Sequence, residues 1–331
     1  MPRLYKILTF VLLFQYIFVF LPSYTMSQES FESWLSTYKE FALKKGVSQQ
    51  TVETAFKNVK FLEQVIRYDR KQPEFYEDTI TYVNKRANTS RVKIAKKLLK
   101  KNTILFNEVE NKFSVEKEIL LALWGIETNF GKHVGKMDII SSLATLSYDK
   151  RRRDFFSSQL LILLQLIDDN LIDPKTLFGS WAGAYGNFQF MPSSIKRYAI
   201  DYDNNKKIEL KTSLHDALAS AANYINSIGW KKDQPCFYRV KLTNSINKKY
   251  INSSARTISN RLKVNNWKKK GLINFDGSNL KTNLEAALVL PDGKPDSPAY
   301  LVFENYEKIL KWNRSLRFGI SVCTLANKIK I

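Results

Sequence analysis

The segment Ile119-Leu120-Leu121-Ala122-Leu123-Trp124-Gly125-Ile126-Glu127-Thr128-Asn129-Phe130-Gly131 sets one carboxylate at the end of an apolar run. The eight residues from Ile119 to Ile126 carry no charged or hydroxyl side chain, so a helix here is expected to be buried nearly all round. Glu127 follows Leu120, Leu123 and Trp124 by seven, four and three positions, which puts its side chain on their face at the helix end. Desolvation there raises a carboxyl pKa, and a raised-pKa Glu is what a general acid needs near neutral pH. A buried Glu paired with an arginine fits the same pattern, and Arg151, Arg152 and Arg153 are at hand. The residues alone leave both readings open. Asp138 and Asp149 are the nearest candidates for a second carboxylate, and both read as structural.

A second cluster is rich in oxygen. Asp201, Asp203, Asn205 and Glu209 stand at positions 1, 3, 5 and 9 of a loop, with Lys207 at the position that offers a backbone carbonyl and Asp216 at position 16. That spacing begins an EF-hand-like calcium site. The sharp-turn glycine of position 6 is replaced by Lys206, and position 12 is Thr212. Lys206 and Lys207 also oppose a cation. A structural, non-catalytic calcium ion and a capped turn without metal both remain open, and no cofactor is needed for chemistry.

The whole chain has 331 residues, 44% hydrophobic and 25% charged. It is long enough for a sizeable core, and that composition excludes a disordered, collagen-like or polytopic membrane chain. Net charge is +21, which favours anionic partners unless a lysine-biased proteome inflates it. The only histidines are His133 and His215, and the only cysteines, Cys236 and Cys323, stand 87 positions apart. Cys/His zinc sites of the usual spacing are excluded. The cysteines leave a disulfide and two buried free thiols both open.

The N-terminus carries an address. Arg3 and Lys6 precede a 15-residue apolar run, Ile7 to Leu21, broken by Pro22-Ser23 and followed by small residues. This is the layout of a secretory signal peptide over residues 1–27, and the run is short for a membrane-spanning helix. An uncleaved anchor touching the inner membrane is the rival reading. No cysteine follows the run, so a lipoprotein anchor is not expected. The exported chain, residues 28–331, would carry +19, and export argues against nucleic acid as partner.

Helices are expected over residues 29–113, where Phe31, Trp34, Leu35 and Tyr38 recur at helical spacing. Ser114 is expected to N-cap a helix from Val115, and another helix runs from Asp154 to Asn170. Gly179 to Gly186 holds three glycines without periodicity and reads as a close-packed loop. Pro192 suits a first helical turn, and Ser213 with Asp216 caps a helix to Ile228. Cys236 to Leu242 and Ala286 to Leu290 read as strands, with a turn at Pro291-Asp292-Gly293. Helix returns from about Asn305 to Lys328. The expectation is a mainly α (α+β) unit with N-terminal helices and a small β-rich insertion at about 231–300.

Leu123 to Gly131 resembles the catalytic segment of the lytic murein transglycosylases of the membrane-bound B type. Three further segments follow in that family's order: Leu143 to Phe156, Gly179 to Ser194 and Ile309 to Ser315. Together they span most of residues 30–328. The resemblance implies a lysozyme-like catalytic core that acts on peptidoglycan glycan strands; with the export signal, the protein is expected in the periplasm, as a monomer. It implies Glu127 as sole catalytic acid and base, Ser180 and Gln189 as cleft groups, Arg151 and Arg152 as substrate contacts, and Asn313 in the same cleft. The family often has a calcium loop where Asp201 to Glu209 stand. It usually has Tyr at Trp312 and at Phe318, so this chain keeps the aromatic face and loses two hydroxyls. Tyr148, Tyr185, Phe188 and Phe190 are expected to offer flat surfaces to sugar.

The implied reaction needs one carboxylate rather than the usual pair. Glu127 protonates the oxygen between N-acetylmuramic acid and N-acetylglucosamine, then accepts the C6 hydroxyl proton as that oxygen closes on C1. The product is a 1,6-anhydromuramoyl end. A lysozyme-type hydrolase and a non-catalytic wall-binding protein are the alternatives.

Overall fold

The computed structural model describes residues 29–71, 77–280, 282–294 and 296–330. The proposed signal segment 1–27 lies outside them. Among the described residues no helix is long and apolar enough to cross a membrane.

Six helices come first: α1 (Phe31–Lys44), α2 (Gln49–Phe56), α3 (Glu63–Arg70), α4 (Thr79–Arg86), α5 (Thr89–Lys101) and α6 (Thr103–Phe113). Ser30, Ser48, Asp78 and Asn88 cap four of them, each side chain accepting a backbone N–H three residues on. Such caps satisfy donors that a first helical turn leaves unpaired. α1 is pinned by an aromatic cluster: Phe31, Trp34 and Phe61 all lie within about 6 Å, ring to ring, of Tyr148.

The centre is α7 (Lys117–Thr128), with Ile119 to Gly125 wholly buried. Leu120, Leu121, Ala122 and Leu123 are each 0% exposed. Each fully buried leucine contributes roughly 1.5–3 kcal/mol. The all-round apolar run therefore becomes the core helix the sequence suggests, enclosed by α5, α6 and later helices. Its end is sharp. Asn129, Phe130 and Gly131 adopt φ of 50°, 59° and 82°, and Phe130 N–H returns to the Trp124 carbonyl. Phe130 folds back over Gly125, where a β-carbon would sit 2.7 Å from its ring.

A two-residue strand β1 (Met137–Asp138), α8 (Ile139–Tyr148) and α9 (Arg153–Asp168) follow, with β2 (Phe178–Gly179) pairing β1. α10 (Pro192–Tyr198) starts on its proline, and α11 (Leu214–Ser227) is capped by Ser213. Strands β3 (Phe237–Leu242), β4 (Ile251–Asn252), β5 (Leu262–Lys263), β6 (Leu272–Asn274), β7 (Glu285–Val289) and β8 (Ala299–Val302) form one sheet in the order β4-β7-β8-β3-β6, with β5 beside β7 and α12 (Val264–Lys269) packed on it. This lobe has its own core of Val240, Trp267, Leu272, Leu288 and Leu301. Cys236 and Cys323 form a disulfide that ties the start of β3 to the C-terminal helix, which settles the two alternatives the sequence left open.

Two expectations need correction. Ser114 does not cap α7; it adopts φ 52° and closes α6, while α7 begins after Glu116 without a side-chain cap. Val115 between them is fully buried and fixes the turn. The C-terminal helix is also divided, into α13 (Glu304–Trp312) and α14 (Leu316–Lys330). The chain is extended at Asn313, with φ −137° and ψ 121°. That break frees the end of α13 to face the end of α7.

Candidate active site

Glu127 lies in the last turn of α7, and Trp312 is the last residue of α13. Both are half-buried. The Trp312 indole N–H donates to Glu127 Oε1 at 2.9 Å. Losing a hydroxyl at position 312 had suggested a lost polar contact. The indole nitrogen supplies a donor instead, aimed at the carboxylate.

Trp312 is itself held from several sides. Its ring stacks on Tyr224 of α11, with centroids 4.8 Å apart and planes 23° apart. Tyr224 stacks in turn on Tyr198 of α10 at 4.2 Å and 7°. Phe190 and Phe188 meet the indole edge-on at 5.4 and 6.4 Å. Burial, with Tyr198 alongside, pushes the Tyr224 phenol above its ordinary pKa, so it stays protonated. Its hydroxyl donates to the carbonyl of Lys311, the residue before Trp312.

Asn187 joins the end of α7 to the glycine-rich loop. Its Oδ1 accepts the Trp124 indole N–H at 2.9 Å, and its Nδ2 donates to the carbonyls of Leu210 and Lys211. Its own carbonyl accepts the Thr128 hydroxyl at 2.7 Å. The sequence reading assigned no role to Asn187, Thr128, Tyr198 or Tyr224. Each belongs to, or lies close to, a segment singled out above, but a contact 63 positions apart leaves no periodic trace.

The expected cleft residues are placed as follows. Ser180 Oγ accepts the backbone N–H groups of Ala182 and Ala184, holding the turn at Gly183. Gln189 adopts φ 52° and donates to the carbonyls of Val134 and Gly186. Asn313 is half-buried at the break after Trp312, so it shares the Glu127 neighbourhood through its chain neighbour. Tyr185 is a correction. It is 4% exposed and its hydroxyl meets Thr176, so it belongs to the core and offers no face to a ligand. Phe188 and Phe190, at 1% and 2% exposed, are core too. The Tyr185–Phe190 bridge turns these rings inward, where they back Trp312.

Arg151 and Arg152 converge on Asp69, which is 3% exposed. Arg151 Nε donates to its carboxylate at 2.7 Å and NH2 to its carbonyl at 2.8 Å, and Arg152 pairs with the other oxygen. Arg153 reaches the Tyr148 carbonyl. These arginines are therefore anchored to α3 and α8. Their side chains stay 44% and 37% exposed at positions 151 and 152, beside Lys150, Asp154 and Phe155. Asp138 caps α8 and Asp149 pairs with Arg70, so both expected structural carboxylates are structural.

The oxygen-rich loop brings ligand atoms of Asp201, Asp203 and Asp216 within 4.8 Å of one another. Asp201 accepts the N–H groups of Asn205 and Lys206, and Asp216 those of Tyr202 and Glu209. Asn205 turns back, accepting from Lys207 N–H and donating to Glu209. Lys206 makes the left-handed turn, φ 69°, that a glycine would make more cheaply, and its side chain points to solvent with that of Lys207. Burial, with Asp203 nearby, pushes the Asp216 carboxyl up. This hard-oxygen set suits calcium.

A family model described as a transglycosylase SLT domain matches residues 30–327. The chain is 43% identical over 121 residues to membrane-bound lytic murein transglycosylase B of Escherichia coli, covering 36% of this chain and 33% of that protein. The aligned segment thus spans about a third of that relative. The fold is similar to SltB3 of Pseudomonas aeruginosa, crystallised with NAG-anhNAM-pentapeptide: TM-score 0.83, 33% identity, 91% of this chain and 80% of that one. It is also similar to the Escherichia coli lytic transglycosylase Slt35 in complex with calcium: TM-score 0.76, 26% identity, 89% of this chain and 92% of that one.

Proposed function

The chain belongs to the transglycosylase SLT domain family, and from that membership we propose that it is a peptidoglycan lytic transglycosylase with Glu127 as its acid and base. The observation that carries this is the Glu127 carboxylate at the half-buried end of an apolar helix, where it accepts the Trp312 indole N–H of the facing helix.

The proton bookkeeping needs no second carboxylate. Protonated Glu127 gives its proton to the oxygen linking N-acetylmuramic acid to N-acetylglucosamine, and the C1–O bond breaks. The substrate's N-acetyl group supports the charge left at C1. Carboxylate Glu127 takes the proton of the C6 hydroxyl as O6 bonds to C1, and the 1,6-anhydro ring closes. The enzyme ends as it began, with no water consumed. Hydrogen bonds that strengthen as Glu127 becomes an anion lower the barrier of the first step.

Ser180, Gln189 and Asn313 are the cleft groups in this reading, and Arg151 and Arg152 offer their exposed guanidinium edges to acidic stem peptides. Calcium would sit on Asp201, Asp203 and Asp216 and supply rigidity to the loop before α11. The protein would work as an exported, periplasmic monomer with peptidoglycan as its partner.

Digestion of purified sacculi by residues 28–331 tests the reading. Released muropeptides should be lighter by one water than hydrolysis products, and Glu127→Gln should still bind sacculi while releasing none. Products at the full hydrolytic mass would mark a lysozyme-type hydrolase. Unchanged biological activity of Glu127→Gln would mark a wall-binding protein.

A further inference from the structure

Helix α5 has no acidic residue, and its lysines are Lys93, Lys96, Lys97, Lys100 and Lys101. At about 100° per residue they share one arc of about 140° and run about 12 Å along the axis. All of them are exposed. Val92, Ile94, Ala95, Leu98 and Leu99 fill the opposite arc and pack on the main core. Arg91 falls in that inner arc too, and donates to the carbonyls of Gly125, Lys85 and Arg86. The helix is therefore fixed to the body, and the lysine stripe, with Thr89 and Ser90, faces out.

The fold gives this stripe no counter-charge. Among the described residues the lysine ion pairs lie at Lys85, Lys117, Lys231, Lys232 and Lys308, and none on α5. Like charges three or four positions apart destabilise a helix, and Lys93 with Lys97, Lys96 with Lys100, and Lys97 with Lys101 are all so placed. The helix dipole favours Lys100 and Lys101 in the last turn, but not Lys93 or Lys96. Ile104 stands just beyond the stripe, at the start of α6, and is 76% exposed. The hollow beside it is lined by Lys100 and Lys101, with Glu108 and His215 across it.

We propose that the outer face of α5, with Ile104 at its end, is a docking surface for an anionic phospholipid membrane. Charge complementarity selects the partner. Lysine ammonium groups are point charges without the planar fork that reads one defined carboxylate, so a stripe of them suits a surface of diffuse negative charge. Each lysine brought near anionic lipid adds a similar increment of attraction, and Ile104 adds apolar contact at the headgroup boundary. The apolar arc of α5 is occupied by the core, so the helix has no second face to insert, and docking is reversible and screened by salt. The surface involves neither Glu127 nor the apolar run Ile7 to Leu21, so the inference does not rest on the role of Glu127.

Cosedimentation of residues 28–331, which hold every described element, with lipid vesicles tests this. The parent should bind phosphatidylcholine vesicles containing about one-third phosphatidylglycerol and should leave pure phosphatidylcholine unbound. Binding should fall steeply as salt rises from about 0.05 to about 0.5 M. Lys93→Gln, Lys96→Gln and Lys97→Gln combined should lower the partition coefficient roughly 100-fold. The melting temperature should be no lower than the parent's, since like-charge pairs are removed. Ile104→Ser alone should lower partitioning several-fold. The same change at Lys248, Lys268 and Lys269 of the sheet lobe should lower it far less. An equal loss there would make net charge the cause and overturn the proposal, as would parent-like binding by the α5 variant. A parent that ignores anionic vesicles, yet loses its hold on sacculi with the α5 changes, overturns it too and assigns the stripe to acidic wall peptides.

Discussion

Trp124 and Asn187 meet at 2.9 Å, indole N–H to side-chain carbonyl, with Asn187 only 7% exposed. Through that contact the last turns of α7 and the glycine-rich loop become one rigid piece. Thr128 adds a second tie, donating to the Asn187 backbone carbonyl at 2.7 Å. Asn187 reaches the other way with its amide, to Leu210 and Lys211 just before α11.

Asn187→Leu strips a partner from the Trp124 N–H and from the Lys211 carbonyl at once, while the Leu210 carbonyl keeps the backbone N–H of residue 187. Each buried polar group left unpaired costs about 1–3 kcal/mol. The variant should lose about 3 kcal/mol or more, read as a lower urea midpoint at unchanged m-value. Trp124→Phe removes one donor and leaves one acceptor unpaired, so it should lose less. A reversed order between the two would show that Asn187 is not the junction described.

How much of this was legible in the residues differs by contact. Glu127 stood out because Ile119 to Ile126 is apolar without interruption, and a carboxylate ending such a run is costly unless used. The sheet insertion showed in its alternating strands, and Ser213 was read correctly as a cap because its partner is three residues away. Ser114 was misread because serine before an apolar run suits either a cap or a left-handed helix end, and residue type does not decide φ. Asp69 with Arg151 and Arg152, and Trp312 with Glu127, join residues far apart in the chain, and only packing brings them together. Tyr185, Phe188 and Phe190 failed for another reason. Aromatic content near a cleft is equally what a core needs, and the turn that buries them is set by backbone geometry.

The Cys236–Cys323 disulfide closes a loop spanning 87 positions and clamps the sheet lobe to α14. Chain-entropy arguments give such a crosslink about 3–5 kcal/mol. Replacing both cysteines by serine should therefore lower the melting temperature by about 10 °C. Adding reductant to the parent should lower it similarly, and should leave the double variant where it is. Equal melting of parent and variant without reductant would show that the crosslink does not form in solution.

Arg70 grips Asp149 with two hydrogen bonds, 3.1 and 3.2 Å, joining α3 to the end of α8. The Arg70 hydrogen bond holds the Asp149 carboxyl below its ordinary range, against the opposing effect of burial. A lowered carboxylate pKa stabilises the fold above the unfolded value, near 3.9, and the gain is lost as pH falls through the folded value. Arg70 is largely exposed, so the pair contributes about 1 kcal/mol or less. Asp149→Asn should be slightly less stable than the parent at pH 7, and the gap in urea midpoints should close as pH drops below about 4. A gap that does not narrow at all as the pH is lowered past the unfolded value would assign the loss to something other than this ion pair.

Asp201, Asp203 and Asp216 gather three carboxylates within 4.8 Å. Among the described residues, none of the three is in an ion pair. Asp216 is fully buried, and its carboxyl is held above the ordinary range by burial and by the charge of Asp203. At neutral pH the loop therefore carries repulsion that a divalent cation would relieve. Calcium at about a hundred times its dissociation constant should stabilise the fold by about 2.7 kcal/mol, a rise in melting temperature of several degrees over the chelated protein. Asp203→Asn should reduce that rise without unfolding the chain, because Asp203 is exposed. Magnesium should substitute poorly, since it demands a tighter octahedral shell. The lysines at 206 and 207 compete with any cation, so the rise should grow when Lys206→Gly removes one positive charge and relaxes the left-handed turn. Identical melting curves in calcium and in chelator would reduce the loop to a hydrogen-bonded turn.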